Sequence, residues 1–317
     1  MNIFITSVGT ATSVNLIKYF KKAGDYIVGG DINEYGYTAG SIMCHEYVQL
    51  PYATDSAYFD KVCNIIKLFN IELFIPVNDI EVYIAADHIK DIPCKCIIPD
   101  FETISKVRDK YICSSSLAGI IDVPKILEND DVNKNRILRD KLGVGSKGIT
   151  FIDKGTEAPV YNKEDSFLQE TVDGEEYTVD LLCDLAGHPI YIIPRLRLEV
   201  KGGVATKVKV CNDDELILQV KKILEVYKLP GFSNIQFIKG HDSKYYFIEI
   251  NYRFSGCGVG SLLSSPNYLE HFKAVSLGGI YNGDVNPDTK FNLIVTRYYE
   301  EMVYEDRNSW FRRYINW

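Results

Sequence analysis

The chain has 317 residues, of which 46% are hydrophobic and 25% are charged, and its formal net charge is −8. This composition is that of an ordinary globular protein of two or three packed units. The negative charge argues against a general nucleic-acid binder, which needs a basic surface. No apolar run approaches the roughly 18 residues of a membrane span, and the first residues do not read as a signal peptide. We therefore expect a cytoplasmic protein with neither a nucleic-acid nor a membrane partner.

Residues 1–100 alternate between strand-like and helix-like segments, which predicts a doubly wound parallel sheet. The predicted helices carry apolar stripes at helical spacing, and we expect Thr54 to cap the second of them. The segments are the strands Asn2–Thr6, Tyr26–Asp31, Leu73–Val77 and Cys96–Pro99 and the helices Ser13–Ala23 and Thr54–Phe69.

The turn after the first strand, Ser7–Thr12, invites a test for dinucleotide binding. Asp31 stands where a dinucleotide fold places its ribose-binding acid, but only one of the three expected glycines, Gly9, is present. Without those glycines the backbone has no close approach to a pyrophosphate. The sequence therefore argues against an NAD site.

The eight cysteines are scattered along the chain and include no Cys-x-x-Cys pair. The five histidines show no metal-ligand spacing either. We expect reduced, mostly buried thiols and no zinc site.

A strand around Arg139 leads into the glycine-rich loop Gly145–Gly148, which contains Lys147. Glycines allow backbone N–H groups to close on phosphate oxygens, and the two cations would neutralise them. The loop is not a P-loop, because it lacks Gly-Lys-Ser/Thr and a strand follows it. A plain β-turn is the alternative.

The segment Tyr191–Gly203 places Arg195, Arg197, Glu199 and Lys201 on one face if the strand is regular. Three cations on one face repel one another unless an anion lies between them, which suggests an anionic substrate. An exposed edge strand protected by charge is the alternative.

The most informative segment is a predicted hairpin of Asn234–Lys239 and Lys244–Asn251. Its four-residue turn, Gly240–Ser243, is a typical hairpin signal. Regular pairing puts Gln236, Glu249 and Asn251 on one face with Phe247, and Ile235, Phe237, Ile248 and Ile250 on the other. Oxygen ligands on a rigid surface suit Mg²⁺, which completes its shell with phosphates and water. A solvated polar sheet face is the alternative.

Taken in order, the alternating N-terminal region, the glycine-rich loop, the segment Phe167–Asp180 and the hairpin resemble the ATP-grasp superfamily. The resemblance is to its carbamoyl-phosphate-synthetase-like carboxylate–amine ligases. It implies an α/β and α+β architecture in which a Rossmann-like pre-ATP-grasp domain (1–100) precedes an ATP-grasp fold. That fold would comprise a small lid (101–172) and a larger antiparallel-sheet body (173–317). The run Pro76–Glu81 resembles the edge of the first domain, with Asp79 either at the substrate site or as a helix N-cap.

The resemblance also implies roles for individual residues. Gln236 and Glu249 would face one Mg²⁺, Glu249 and Asn251 a second, and Arg253 the transferring phosphoryl group or the acyl-phosphate. The catalytic residues would be Arg253 and Lys147, and the substrate-binding residues Arg195, Arg197, Lys201 and Arg253. ATP would be bound by Lys110, Arg139, Lys147, the backbone of Glu170 and Val172 at adenine, and Glu176 at ribose.

Two departures from the family pattern stand out. Asp140 replaces the proline common after the phosphate-binding cation, and Gly256 and Cys257 stand where the synthetase modules carry a further arginine. The second departure favours an acceptor other than that of carbamoyl-phosphate synthesis.

The implied activity is an ADP-forming carboxylate–amine ligase that uses ATP and two Mg²⁺ ions, with Mn²⁺ as a substitute. The alternatives are a synthetase acting on bicarbonate or carbamate and a non-catalytic nucleotide-binding module. The expected partners are a small carboxylate, an amine and, in a homodimer, a second copy of the chain. The aromatic tail Trp310–Trp317 is expected to pack on the body or on that second copy.

Overall fold

The computed structural model of the chain describes residues 1–143 and 148–303. The predictions for Lys147 and for the tail Trp310–Trp317 lie outside the described residues. Among the described residues, no helix is both long enough and apolar enough to cross a bilayer.

The N-terminal unit is a five-stranded parallel sheet in the order β3-β2-β1-β4-β5. This confirms the predicted doubly wound parallel sheet. Because the order reverses between β1 and β4, the carboxyl ends of these two strands form a topological switch point. The elements are β1 (Asn2–Ile5), α1 (Ala11–Lys22), β2 (Tyr26–Asp31), α2 (Ala39–Met43), β3 (Glu46–Gln49), α3 (Tyr58–Leu68), β4 (Leu73–Ile75), α4 (Asp79–Asp87) and β5 (Lys95–Cys96).

The structure places two residues that the sequence singled out in this unit, Thr54 and Asp31. The cap at Thr54 is wrong, because α3 begins at Tyr58 after Ala57, which makes no side-chain capping bond. Asp31, at the position of a ribose-binding acid, is engaged within the protein. Asp31 accepts hydrogen bonds from the Gly9 amide at 2.7 Å and from the Asn33 side chain at 2.7 Å, so its carboxylate holds its own loops together.

The middle unit is a four-stranded antiparallel sheet in the order β6-β9-β7-β8. Two helices precede it, and Asp109 ends the first and caps the second through the Tyr111 and Ile112 amides. The elements are α5 (Phe101–Arg108), α6 (Lys110–Leu117), β6 (Ile126–Leu127), β7 (Arg136–Asp140), β8 (Ile149–Ile152) and β9 (Ser166–Glu170).

The third unit is a six-stranded antiparallel sheet in the order β14-β13-β10-β11-β12-β15. Leu216, Val220 and Ile223 of α7 are buried, as the apolar stripe of that helix predicts. The elements are β10 (Gly174–Cys183), β11 (Pro189–Lys201), β12 (Val204–Val210), α7 (Asp214–Val226), β13 (Gly231–Gly240), β14 (Tyr245–Asn251), α8 (Val259–Ser264), α9 (Tyr268–Ser276) and β15 (Ile294–Thr296).

The parallel sheet and the six-stranded sheet share one hydrophobic core. Ile3 and Phe20 belong to the same buried cluster as Phe232 and Phe272, and the Phe20 and Phe272 rings lie 6.5 Å apart. At one edge of this contact, Lys273 Nζ lies 3.2 Å from the buried Asp25 carboxylate. Direct packing therefore fixes the switch point relative to the six-stranded sheet.

Glu81 secures the first loop of the parallel sheet to α4. One of its carboxylate oxygens accepts hydrogen bonds from Thr6 Oγ1 at 2.7 Å, Ser7 Oγ at 3.0 Å and the Asn78 amide at 3.1 Å. Burial raises the pKa of this carboxyl, and the three hydrogen bonds oppose the rise only in part.

The raised pKa predicts how Glu81→Gln will behave. The folded protein favours protonated Glu81 more than the unfolded chain does, so its contribution to the free energy of unfolding is full below the unfolded pKa of about 4.3. That contribution falls as pH rises through the higher folded pKa. Because glutamine does not titrate, the stability of Glu81→Gln relative to the unsubstituted protein should increase with pH. Urea denaturation at pH values that span the unfolded and folded pKa of Glu81 measures this difference in unfolding free energy, with the exposed Glu102→Gln as control. A difference that does not change with pH would contradict the raised pKa of Glu81.

Candidate active site

A cleft of about 780 Å³ lies where the three sheets meet. The switch point supplies one wall through the loop that leads into α1 and through Val77–Asp79. The middle sheet supplies β7, β8 and the end of β9, and the six-stranded sheet supplies β10, β11, β13 and β14. The cleft brings together most of the predicted site residues, namely Lys110, Arg139, Glu170, Val172, Glu176, Arg195, Arg197, Gln236, Glu249, Asn251 and Arg253.

The predicted hairpin forms, but its pairing contains a bulge. Gln236 lies opposite Glu249, whereas the next residue of β13, Phe237, lies opposite Phe247, so that Ile248 is the extra residue. A bulge of this kind exchanges the faces of the residues beyond it. The face predictions for Phe247 and Ile248 are therefore wrong: Phe247 is buried in the core, and Ile248 lines the cleft.

The polar face of the hairpin is organised around Glu249. Asn251 donates from Nδ2 to Glu249 Oε1 at 3.1 Å and to Asn234 Oδ1 at 3.3 Å. On the other side, Lys110 Nζ lies 3.6 Å from Glu249 Oε2 and also bonds the Gly143 carbonyl. Because the Asn251 amide nitrogen is committed to protein acceptors, its amide oxygen is left for a ligand.

The donor set of this face fits Mg²⁺. It offers the Glu249 carboxylate and the amide oxygens of Gln236 and Asn251, which agrees with the preference of this ion for a few protein oxygens plus phosphates. No cluster of three or more His, Cys, Asp or Glu capable of holding a metal occurs among residues 1–143 and 148–303. An ion bound here would therefore depend on the nucleotide for part of its shell.

Arg139 is a buried cation with little intrachain compensation. Its Nη1 donates to Gln169 Oε1 at 2.9 Å and its Nη2 reaches the Ile248 carbonyl at 3.4 Å. In the described part of the chain, its Nε has no hydrogen-bond partner and no carboxylate lies within 4.0 Å of the guanidinium. Burial lowers the pKa of Arg139, which shows the cost of keeping this charge from water. An anion in the cleft would relieve that cost.

Glu170, Val172 and Glu176 occupy the junction between β9 and β10. The Glu170 carboxylate pairs with Lys134 at 2.5 Å, and its backbone amide donates to the Lys125 carbonyl at 2.9 Å. Glu176 is half exposed at the cleft and pairs with Arg197 Nη1 at 2.8 Å. A group that binds Glu176 would therefore share it with Arg197.

The prediction of one cationic face on β11 is wrong. Bulges around Glu199 interrupt the alternation, so Val200 lines the cleft while Glu199 and Lys201 lie outside it. Lys201 is 68% exposed and pairs with Glu199 at 3.0 Å. These cations do not require an external anion, since Asp180, Glu176 and Glu199 neutralise Arg195, Arg197 and Lys201 in turn.

Arg195 lies at the centre of a buried network in the wall of the cleft. Its Nε and Nη2 each contact the Asp180 carboxylate at 2.7 Å, and Nη2 also bonds Ser255 Oγ at 2.9 Å. Ser261 donates a further hydrogen bond to Asp180 at 2.5 Å. The remaining nitrogen, Nη1, is buried without a partner among the described residues. Arg195 therefore supports the cleft wall and keeps one donor unsatisfied.

Arg253 connects the hairpin to the parallel sheet. Its Nε donates to Asp79 Oδ1 at 3.0 Å, and its Nη1 bonds the Phe254 carbonyl at 3.3 Å. Asp79 is not the N-cap of α4, because Asn78 fills that role by accepting from the Ile80 amide at 2.9 Å. Sequence reasoning missed this pair, although the switch-point rule directs attention to the residues after β1 and β4.

Comparison with protein families identifies two regions. Residues 162–300 match the family described as ATP-grasp in the biosynthetic pathway with Ter operon. Residues 3–97 match the PylC-like N-terminal domain. No curated protein sequence matches the chain significantly.

Similar folds occur among solved structures. The biotin carboxylase domain of 2-oxoglutarate carboxylase from Hydrogenobacter thermophilus, in complex with MgADP, ADP and bicarbonate, has a TM-score of 0.70 at 15% identity over 92% of this chain and 73% of that chain. For N5-carboxyaminoimidazole synthetase from Staphylococcus aureus complexed with ADP, the values are 0.68, 14%, 90% and 79%. For L-amino acid ligase from Bacillus licheniformis, they are 0.62, 14%, 83% and 70%. At these identities the likeness is one of fold, and the predicted fold class is confirmed.

The contrast between Arg195 and Lys201 can be tested by removing each charge. Arg195→Met leaves Asp180 buried and unpaired, which should lower the free energy of unfolding by about 3–5 kcal/mol. Lys201→Met removes an exposed pair of the same strand and should cost less than about 1 kcal/mol. Urea denaturation measures both, and equal small effects would contradict the structural role of Arg195.

Proposed function

Because the chain is an ATP-grasp protein, we propose that it is an ATP-dependent, ADP-forming carboxylate–amine ligase that acts through an acyl-phosphate. One observation carries this proposal. A single cleft joins the oxygen donors Gln236, Glu249 and Asn251 to two guanidinium groups, Arg139 and Arg253. Such a cleft suits a nucleoside triphosphate with a reacting carboxylate beside it.

The triphosphate would lie between the hairpin and the middle sheet. Arg139, a buried cation without a carboxylate partner in the described chain, would bind the phosphates together with Lys110 and Lys147. Adenine would be recognised by the Glu170 carbonyl and the Val172 amide, and ribose by Glu176, which lines the cleft. Hydrogen bonds from the ribose hydroxyls to the Glu176 carboxylate would compete with its ion pair to Arg197.

Gln236, Glu249 and Asn251 would hold Mg²⁺, with two ions expected and Mn²⁺ as a substitute. A bound ion would supply neutralisation of the phosphate charge and orientation of the phosphates for in-line attack by the carboxylate. Glu249 is held at both oxygens by Asn251 and Lys110, so the chain presents it in a defined orientation. Lys110 would also limit the net negative charge of this site.

Arg253 would stabilise the transferring phosphoryl group and then the acyl-phosphate. Its contact with Asp79 restricts its movement before substrate arrives. Arg197 and the buried Nη1 of Arg195 remain the candidate contacts of an anionic substrate, because both side chains line the cleft. Lys201 has the weakest support, since it lies outside the cleft lining. A homodimer in the cytoplasm remains part of this proposal.

A second candidate uses bicarbonate as the carboxylate. It is favoured by the fold of the Hydrogenobacter thermophilus domain, whose structure holds MgADP and bicarbonate. Bicarbonate-dependent ADP release in the absence of any other carboxylate would select this candidate.

The main proposal predicts ADP release that depends on both a carboxylate and an amine. Glu249→Gln should lower turnover by about 100-fold or more, because the only carboxylate of the proposed ligand set loses its charge. Nucleotide binding should persist, since Arg139 and Lys110 remain. A screen of carboxylates crossed with amines, read as ADP release, tests this. Undiminished ADP release in Glu249→Gln would contradict the assignment.

Arg139→Met provides a test that does not require the substrate. Loss of a charge-assisted contact of about 1.5–3 kcal/mol should weaken MgADP binding by about tenfold or more. The rise in melting temperature on adding MgADP should shrink accordingly. Lys106→Met, which removes an exposed cation of α5, is the control. An unchanged MgADP response in Arg139→Met would place the phosphates elsewhere.

A further inference from the structure

We propose that Asp79 binds the ammonium group of the amine substrate, in the crevice between the carboxyl ends of β1 and β4. This inference rests on the proposed ligase function and adds to it a location and a chemical class for the second substrate. The class is a primary amine that carries a positive charge before reaction.

The crevice opens directly onto the proposed reaction site. Thr10–Thr12 follow β1 and Val77–Asp79 follow β4, and both segments line the same cleft as Glu249 and Arg253. Ligands of open α/β sheets bind outside the carboxyl ends of the strands at such a switch point. The opposite wall is close, because Gly256 approaches the Thr12 side chain: a methyl group added at Gly256 would lie 3.8 Å from Thr12 Oγ1. A small substrate would therefore be enclosed between the parallel sheet and the segment after the hairpin.

Asp79 is free to bind a ligand because its neighbours perform the structural tasks. Asn78 caps α4 through its side chain, and Glu81 completes the capping box and holds Thr6 and Ser7. The Asp79 carboxylate makes one contact, from Oδ1 to Arg253 Nε at 3.0 Å. Within residues 1–143 and 148–303, its Oδ2 has no hydrogen-bond partner.

The pairing with Arg253 puts the two reactants side by side. A group held by Asp79 Oδ2 lies next to the guanidinium that would meet the acyl-phosphate. For the C–N bond to form, the ammonium must first lose a proton to water, after which the amine attacks the activated carbonyl, the C–O bond to the phosphate breaks, phosphate leaves and the nitrogen loses a second proton. The nitrogen and the carbonyl must be adjacent, and such positioning contributes strongly to rate. The geometry therefore gives Asp79 a part in bringing the amine to the carbonyl.

Asp79 differs from the other acids of the cleft by its position. Glu176, Glu170 and Asp79 each have a cationic neighbour, and Glu249 belongs to the proposed metal ligands. Asp79 lies at the switch point, beside the guanidinium that would meet the acyl-phosphate. Asp153 follows β8 and Asp173 lies between β9 and β10, whereas Asp79 follows β4 at the switch point. An ammonium ion entering a cleft rich in guanidinium groups needs a carboxylate, and Asp79 supplies it.

The experiment separates binding of the amine from formation of the acyl-phosphate. It uses the full chain with a carboxylate that supports ADP release, and it compares two nucleophiles. One is the amine substrate, which is charged. The other is hydroxylamine, which is small, is largely uncharged at mildly alkaline pH, and traps acyl-phosphates as hydroxamates. Only the charged amine should require Asp79.

For Asp79→Asn we expect the KM for the amine to rise by about tenfold or more, which corresponds to about 1.4 kcal/mol or more. Hydroxamate formation should fall far less than amide formation, because the asparagine Oδ1 can still accept the hydrogen bond from Arg253 Nε but no longer offers a charge to the ammonium. The matched control is Asp87→Asn, at the other end of α4, where the side chain is 55% exposed. Melting temperatures with and without MgADP confirm that both variants are folded and bind nucleotide.

Two results would overturn the inference while leaving the ligase function intact. If amide and hydroxamate formation fall together, Asp79 acts only by positioning Arg253. If neither falls, Asp79 has no role in binding the amine. Absence of both products from the unsubstituted protein, with every carboxylate tried, would instead contradict the ligase function, and the inference with it.

Discussion

The antiparallel pairing of β13 with β14 is the constraint on which the cleft depends. One side of the pair packs Ile235 and Ile250 into the core, so the opposite side must face the cleft. The bulge at Ile248 interrupts the alternation along β14. Phe247 and Ile250 therefore both face the core, and Glu249 lies opposite Gln236 on the side of the cleft. Because the core fixes the strands, the oxygen donors are presented in position before any ligand binds, which reduces the ordering cost of binding.

The arginines around the cleft fall into two classes. Arg195 and Arg136 are fully buried and paired with Asp180 and Asp130, so their charges are compensated within the chain. Arg139 is also buried but lacks such a carboxylate among the described residues. Removing a charge from water without a partner is costly, and proteins retain such groups where a ligand completes them. The cleft therefore combines a rigid ionic wall with a cation reserved for an anion.

Local pattern was enough to predict the alternating N-terminal region and the hairpin, and the resemblance to ATP-grasp enzymes implied the gathering of Arg139, Glu249 and Asn251. It failed where the outcome depends on register or on partners distant in sequence. Strict alternation placed Lys201 at the site, whereas bulges in β11 turn it outward. The pairs Arg253–Asp79 and Arg195–Asp180 arise from the packing of separate strands and units, which no local pattern encodes. The role of Lys147 stays a prediction, since it lies outside the described residues.

The central claim is that the polar face of the hairpin and Arg139 together bind a magnesium-nucleotide. A crystal structure of the chain with MgADP tests this claim most directly. We expect phosphate oxygens within hydrogen-bonding distance of the Arg139 guanidinium and a metal ion bound by Glu249 and Asn251 oxygens. A nucleotide bound elsewhere, or a metal ion that avoids Glu249, would contradict it.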